Sequence, residues 1–217
     1  MNLFKSFSLV CVLAFSTYHS SAQTINSSAQ TILRRVKNAV WVFGLSEHIV
    51  IDNGKEYQFK FDTKNWNLTP YPSRITAEAY LKKGWSTQIE FAYTAYKANK
   101  VVDNITSLKD NTFFSSDLNL RYHFEVLFKE PNFFDPFLTA GYGFTFRSAV
   151  NRTQTSTGTN NLGVGCNFWI YKGFGLSLQS VGKFTMKGGS KSNYLHHSIG
   201  VVYKLMPFSG KNVLNLQ

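Results

Sequence analysis

The sequence predicts an all-β protein, an antiparallel up-and-down transmembrane β-barrel of about eight strands. Apolar and polar residues alternate with a period of two in segments along the chain. In 161–170, for example, one face carries Leu162, Val164, Cys166, Phe168 and Ile170. Long and short connections alternate between the segments, as they do in transmembrane barrels. A segment with the features of an export signal precedes all of these alternating segments.

Residues 1–22 have the layout of a secretory signal peptide. Lys5 gives a positive start, residues 7–15 form an apolar run, and small residues end the segment at Ala22. The run is too short to cross a bilayer as a helix. We therefore expect a cleaved signal peptide and a mature chain that begins at Gln23.

The rest of the chain divides into three parts: a periplasmic lead-in at 23–38, an outer-membrane β-barrel at 39–205 and a short periplasmic tail at 206–217. Cys166 is the only cysteine outside the signal peptide, so no intrachain disulfide can form. An exported chain without disulfides is not expected to be a small secreted domain that disulfides hold together. Stability must come from packing or from a closed strand ladder.

The composition fits a barrel whose wall has one apolar face. Aromatic residues make up 16% and charged residues 16% of the chain, and the mean hydropathy is only −0.17. The average is low because half of each strand faces a polar lumen. The net charge of +11 suits anionic lipid headgroups and lipopolysaccharide phosphates. No nucleic-acid-binding motif accompanies it, so we predict no nucleic-acid partner.

The first four strands are predicted at 40–51, 74–81, 85–96 and 113–124. Their outward apolar residues are Trp41, Phe43, Leu45, Ile49, Ile51, Ile75, Ala77, Ala79, Leu81, Ile89, Phe91, Tyr93, Phe114, Leu118, Leu120 and Tyr122. Glu47 also falls among the outward residues of the first strand. A carboxylate in lipid is costly, so we expect either a bulge near Gly44 or a position close to the headgroups.

The last four strands are predicted at 136–146, 161–170, 174–184 and 194–205. Their outward residues are Leu138, Ala140, Tyr142, Phe144, Phe146, Leu162, Val164, Cys166, Phe168, Ile170, Phe174, Leu176, Leu178, Phe184, Ile199, Val201, Tyr203 and Leu205. The connections after the first, third and fifth strands are long, whereas 82–84 and 171–173 are tight turns. The tight turns are therefore expected on the periplasmic side, together with both chain ends.

Charged residues on the inward faces predict a filled lumen. They are Arg74, Glu78, Glu90, Asp117, Arg121, Lys183 and Lys204. Because buried charges must be paired, we interpret them as an ion-pair network that plugs the barrel. A narrow gated pore for ions or small solutes is the alternative. A barrel of about eight strands has an interior that side chains can just fill.

Three stretches resemble bacterial outer-membrane barrel domains of the OmpA-like type, namely 132–143, 162–169 and 175–180, and the closing 197–204 resembles the last strand of that family. The resemblance implies an outer-membrane location and recognition of the last strand by the barrel-assembly machinery. The tail of residues 206–217 departs from the family, in which the last strand often ends the chain. It is far too short for a peptidoglycan-binding domain, so none is expected.

One pair of residues has a catalytic character. His196 and Ser198 share the inward face of the last strand, where a base and a hydroxyl could be neighbours. An outer-membrane lipid A deacylase family uses a His-x-Ser arrangement, which this chain resembles only at those two residues. No acidic partner can be assigned from the sequence, so we predict that the protein is not an enzyme. The histidines lack metal-ligand spacing, and we predict no metal and no cofactor.

Specificity is expected in the loops rather than in the wall. The first long connection carries five aromatic residues that could form a contact surface: Tyr57, Phe59, Phe61, Trp66 and Tyr71. They could equally pack on one another. The sequence thus favours a non-enzymatic outer-membrane barrel, structural or adhesive, or an accessory subunit of an envelope complex. The alternatives are the gated pore, a soluble lipocalin-like carrier and a lipid A deacylase-like enzyme.

Overall fold

The computed structural model describes residues 39–52, 66–102, 105–127, 133–148, 155–186 and 193–205. The barrel strands are β1 (Val40–Ile51), β2 (Arg74–Lys82), β3 (Trp85–Tyr96), β6 (Asn111–His123), β7 (Phe134–Arg147), β8 (Thr155–Tyr171), β9 (Phe174–Thr185) and β10 (Tyr194–Leu205). A short ladder joins β4 (Val101–Val102) to β5 (Ile105–Thr106), and a 3-10 helix follows β6 at Phe124–Leu127. No helix in these ranges is long and apolar enough to cross a membrane.

The eight barrel strands close into one antiparallel sheet in the order β1-β10-β9-β8-β7-β6-β3-β2. Closure pairs the first strand with the last, for instance Leu45 with Val201. Every strand therefore has two hydrogen-bonded neighbours, and the sheet has no open edge. This confirms the predicted up-and-down barrel of eight strands.

The wall is apolar outside and polar inside, the reverse of a soluble carrier. Leu162 and Val164 expose 60% and 55% of their surface on the outer face, whereas Glu90 and Asn167 inside expose 2% and 1%. The same alternation runs along β3 and β7. Exposed apolar side chains all round a closed sheet are stable only when lipid surrounds them. The wall therefore has the arrangement of a transmembrane barrel, and it excludes the lipocalin-like interior.

The two ends of the barrel differ. At one end, which we name the turn end, β2–β3 and β8–β9 are joined by two-residue turns. Both central residues of each turn have positive φ: Lys83 (53°) with Gly84 (81°), and Lys172 (40°) with Gly173 (87°). This is the primed geometry that matches strand twist in tight hairpins. The opposite end carries the long connections, and we name it the loop end.

Several strand boundaries differ from the sequence prediction by one or two residues, and the start of β8 differs most. Strand β8 begins at Thr155, six residues before the predicted start, and pairs with β7 as far as Arg147. Residues 155–160 are small or polar on both faces, so they carry no period-two signal. Strand β7 begins at Phe134, because the alternation continues through Asp135 with that side chain inside.

Glu47 lies on the outer face without any bulge. The pairing of β1 with β2 and with β10 is regular through Gly44, so the expected bulge near this glycine is absent. The Glu47 carboxylate instead accepts hydrogen bonds from Ser73 Oγ at 3.2 Å and Thr69 Oγ1 at 3.4 Å. The segment that leads into β2 therefore supplies the polar partners that lipid could not.

Candidate functional site: the filled lumen

The turn end of the lumen is organised around His123 on β6. Its Nε2 lies 2.7 Å from Glu78 Oε1 and its Nδ1 lies 2.9 Å from Asp135 Oδ1. Ionised carboxylates can only accept, so with both ionised the ring donates from each nitrogen. Tyr80 O–H donates to Asp135 over 3.2 Å and Asn167 donates to the same carboxylate over 3.1 Å.

Two arginines fill the middle of the lumen. Arg74 Nη2 lies 2.6 Å from Glu90 Oε2, and Arg121 Nη1 lies 2.9 Å from Glu78 Oε2. Gln179 Oε1 on β9 accepts from both arginines, at 2.7 Å from Arg74 and 2.6 Å from Arg121. Since β9 is not adjacent to β2 or β6, this amide bridges opposite walls. The bridge therefore spans the lumen from one wall to the other.

A third set of contacts lies nearer the loop end. Lys183 Nζ donates to Asp117 Oδ2 and also to Ser115 Oγ, the latter at 3.3 Å. Asn161 Nδ2 donates to the other oxygen of Asp117 over 2.9 Å. Gly143 is required beside this site, because a Cβ there would overlap the Asp117 carboxylate. The glycine therefore makes room for a buried ion pair.

An apolar cap lies above the network at the loop end. It consists of the buried residues Val50, Tyr96, Phe113 and Tyr194, with Val102 of the β4–β5 ladder packed against them. Tyr96 O–H donates to Asp52 over 3.0 Å, and Arg147 Nη1 lies 2.8 Å from the same carboxylate. One of the loops thus packs onto the mouth of the barrel.

The charges in the described lumen are nearly balanced. Five buried acids face four buried lysines and arginines: Asp52, Glu78, Glu90, Asp117 and Asp135 against Arg74, Arg121, Arg147 and Lys183. His123, held between two of the acids, supplies a fifth positive charge when both of its nitrogens donate. A balanced set needs no external counter-ion, which suits a closed interior.

Six of the seven residues predicted for the lumen network are in it. Lys204 is the exception: its ammonium lies 4.2 Å from the ring centre of Trp169 and 5.5 Å from that of Tyr80, near the turn end. Lys204 lies on the inward face, and the contacts that its ammonium makes with described residues are cation–π contacts. Lys204 is the penultimate residue of the last strand, where the lumen opens and aromatic rings are within its reach.

His196 and Ser198 do not form the contact that a base and a nucleophile need. His196 Nδ1 faces Glu90 Oε1 at 3.5 Å, and its ring packs edge-on to His48 with 4.7 Å between centres. The acidic neighbour missing from the sequence analysis is therefore Glu90. Among the described residues no hydrogen bond joins His196 to Ser198. A serine–histidine contact of this kind does lie beside His196, between Ser73 Oγ and His48 Nδ1 at 2.7 Å.

The predicted loop surface falls largely outside the structure. Tyr57, Phe59 and Phe61 lie outside the described residues. Trp66 is half-buried, and Tyr71 exposes 51% of its surface. In the parts of the chain that are described, no group of three or more His, Cys, Asp or Glu side chains could hold a metal ion. The contact surface stays a prediction.

Several network residues were missed by the sequence analysis, although a signal for two of them existed. Asp135 and Arg147 have the same parity along β7 as the inward Thr139 and Thr145, so extending the alternation would have placed both inside. Gln179 was predicted to point inward but carries no charge, and nothing in the sequence marks it as the bridging residue.

Comparison with known proteins supports the architecture through structure alone. No protein-family model and no curated protein sequence matches the chain. Solved structures do match: the outer membrane protein OprG of Pseudomonas aeruginosa (TM-score 0.53, 13% identity) covers 77% of this chain and 97% of its own. This chain has the fold of the small bacterial outer-membrane barrels.

Two further structures agree. The N-terminal β-barrel domain of Pseudomonas aeruginosa OprF matches with a TM-score of 0.50 at 13% identity, over 77% of this chain and 98% of that one. Neisserial surface protein A matches with a TM-score of 0.50 at 15% identity, over 77% and 97%. The small outer-membrane barrel fold that the sequence resemblance implied is confirmed.

Proposed function

We propose that the protein is a small barrel of the bacterial outer membrane that does not conduct through its lumen and acts through its loops. The loop end faces outward and the turn end faces the periplasm, as in other outer-membrane barrels. Lipopolysaccharide and phospholipid surround the wall. The role is structural or adhesive, or that of an accessory subunit in an envelope complex, and it is not enzymatic.

The observation that carries this proposal is the bridge from Gln179 to Arg74 and Arg121. It joins opposite walls, and each arginine is also paired with a buried carboxylate. Parting a buried pair leaves an uncompensated charge and costs about 3–5 kcal/mol. Thermal opening of such a lumen is therefore rare.

The loop end adds a second barrier. The Phe113 and Tyr194 rings pack edge-on with 5.8 Å between centres, and Tyr96 packs on Phe113 at 5.7 Å. A solute that entered from outside would meet this apolar cap before the ion pairs. With the lumen closed at two levels, the surfaces left for recognition are the loops and the rim.

Planar-bilayer recording tests the proposal. Wild-type protein is expected to give no discrete current steps. The double variant Phe113→Ala with Gln179→Ala removes the ring cap and the bridging amide without removing a charge, and it is expected to give brief steps. Leu118→Ala with Leu178→Ala, both on the outer face, is the matched control and is expected to stay silent.

Stable current steps from the wild-type protein would contradict a closed lumen. One observation favours that rival, the narrow pore. Buried polar atoms of Gln88 (Oε1), Thr139 (Oγ1) and Gln179 (Nε2) have no protein partner, which suits water inside the lumen. If water filled the lumen continuously from end to end, ions could pass through it. A conductance measurement distinguishes such a continuous water path from isolated buried waters.

A further inference from the structure

Two buried histidines lie directly beneath the apolar cap. His48 on β1 and His196 on β10 meet edge-on, with 4.7 Å between their ring centres. The inward residues of β1 run from Ser46 through His48 to Val50 towards the loop end. Arg74 of the bridge donates to Ser46 Oγ over 3.0 Å, whereas Val50 belongs to the cap. The histidine pair therefore separates the arginine bridge from the cap.

The cap rests on this pair. The His48 ring lies 6.1 Å from the Phe113 ring, centre to centre. Val50 and Tyr194 are the inward neighbours of the pair on the same two strands, one step nearer the loop end. Val102 of the β4–β5 ladder packs on the cap in turn. Direct contacts thus connect the two imidazoles to a loop.

Each ring has a partner at only one of its nitrogens. His48 Nδ1 lies 2.7 Å from Ser73 Oγ, and His196 Nδ1 faces Glu90 Oε1 at 3.5 Å. Because the Ser73 hydroxyl donates to Glu47 and the Glu90 carboxylate is ionised, both Nδ1 atoms carry the proton of a neutral ring. Both Nε2 atoms are buried and have no hydrogen-bond partner among the described residues. A further proton would bind at these two atoms.

The lumen is not arranged to hold two extra positive charges here. The charged groups that act on both rings are Glu90, Arg74 and Lys183. Glu90 is already paired with Arg74 at 2.6 Å, and Lys183 is already paired with Asp117. Each new Nε2–H group would also lack an acceptor, and a buried donor without a partner is costly. Water can reach both groups if the cap above them opens.

Protons can reach the pair without crossing the cap. The Ser73 hydroxyl lies 3.2 Å from the Glu47 carboxylate, which is half-buried on the outer face, and it also contacts His48 inside the wall. Hydroxyl and imidazole groups in hydrogen-bond contact can relay protons. The buried pair is therefore connected to the outer surface near the loop end.

We propose that His48 and His196 form an acid switch, in which the cap stays closed while both rings are neutral and releases the β4–β5 ladder when both are protonated. The switch acts on the loops that the proposed function uses for recognition, and it rests on that function. The bridge from Gln179 to Arg74 and Arg121 lies on the other side of the pair from the cap and is not part of the switch. The lumen therefore stays closed to ions in acid as well.

Nuclear magnetic resonance of the full-length mature protein in lipid nanodiscs tests the switch. The imidazole signals of His48 and His196 report protonation. The methyl signals of Val102, which the aromatic rings of the cap shift, report the contact between ladder and cap. On acidification from about pH 7.5 to about pH 4, the wild type is expected to protonate both rings and, with the same midpoint, to lose the ring-induced shift of Val102.

The double variant His48→Gln with His196→Gln cannot be protonated at these positions, so its Val102 signals are expected to stay unchanged over this range. His197→Gln, at the adjacent outward position of β10, is the matched control and is expected to respond as the wild type does. Folding is checked by heat-modifiable gel mobility, and His196→Gln alone replaces the double variant if the latter fails to fold.

Val102 signals that stay unchanged while both rings are protonated would overturn the proposal. A Val102 response that persists in the histidine variant would also overturn it, as would rings that stay neutral down to about pH 4. Current steps from the wild type in planar bilayers would contradict the closed lumen without changing the Val102 result, so the two proposals fail separately.

Discussion

At the residue scale, the lumen shows how a protein keeps ionised groups inside a membrane. Glu78 exposes 2% of its surface yet receives hydrogen bonds from three donors: Arg121 at 2.9 Å, Ser86 at 2.5 Å and His123 at 2.7 Å. Such a carboxylate is compensated on both oxygens. Removing its charge leaves a guanidinium and an imidazole without their common partner.

Glu78→Gln is therefore expected to lower the free energy of unfolding by about 3–5 kcal/mol, the cost of breaking a buried pair. Urea unfolding in lipid vesicles, followed by tryptophan fluorescence, measures the change. Glu47→Gln on the outer face is the matched control and is expected to change stability by less than about 1 kcal/mol, because the amide oxygen can still accept from Ser73 and Thr69. Equal effects of the two substitutions would show that the network does not stabilise the barrel.

The position of each residue along its strand predicted which side chains point into the lumen. It did not predict which side chains they contact there. Parity along a strand places Arg74 and Glu90 inside, because side chains alternate between faces. Their contact with each other and with Gln179 depends on the closure register and the barrel diameter, which a single strand does not encode. For the same reason the sequence could not show that His196 faces Glu90, because Glu90 comes from a distant strand.

At the element scale, the tight turns carry a cost that can be measured. Lys83–Gly84 and Lys172–Gly173 both have positive φ at their two central positions. Asn-Gly is the favoured sequence for this turn, since Asn tolerates left-handed backbone.

Lys83→Asn combined with Lys172→Asn is therefore expected to stabilise the barrel by about 1 kcal/mol per turn. The midpoint of urea unfolding in vesicles should rise. Lys82→Asn, one position earlier in the extended strand β2, serves as the control and is not expected to stabilise. A double variant no more stable than this control would show that the turn lysines are unstrained.

The 3-10 helix after β6 contains a group whose ionisation is disfavoured. Burial raises the pKa of Glu125, and the nearby Asp135 acts in the same direction, although Lys204 and His123 oppose them. The folded state therefore holds this proton more tightly than the unfolded state. Stability then falls as the pH rises through the pKa of the folded state.

Glu125→Gln is expected to remove that dependence. The variant should be more stable than wild type at pH values above the raised pKa and equal to it in acid, where both side chains are neutral. Unfolding titrations in vesicles at several pH values measure the difference. A variant that is less stable than wild type only at high pH would show that the Glu125 charge is favourable.

Strand positions were largely predictable because the period-two pattern acts over whole elements. Strand β10 matches its predicted bounds, and β1 and β3 do so as well. The early start of β8 was not predictable, because its first residues are polar or small on both faces and are held by pairing with β7. The sequence of a segment cannot by itself predict a strand that forms because a neighbouring strand pairs with it.

At the scale of the whole molecule, the barrel reverses the polarity of a soluble globular protein. Buried polar side chains fill the interior, and apolar side chains cover the outside. Composition and alternation together predicted this arrangement, since a low mean hydropathy combined with abundant aromatic residues suits a wall with one apolar face. The apolar cap of Val50, Tyr96, Phe113 and Tyr194 was not predicted, because apolar residues at inward positions run against the alternation that identified the strands.

Spin-label accessibility along β8 tests the inverted arrangement most directly. Single labels at Leu162, Val164 and Phe168, in a Cys166→Ser background, are compared with labels at Asn161 and Asn167 in protein reconstituted into vesicles. The first three are expected to collide often with oxygen dissolved in lipid and rarely with a water-soluble nickel chelate, whereas the two asparagine positions contact neither. Lipid contact at the asparagine positions, with the leucine, valine and phenylalanine positions shielded from oxygen, would contradict the account.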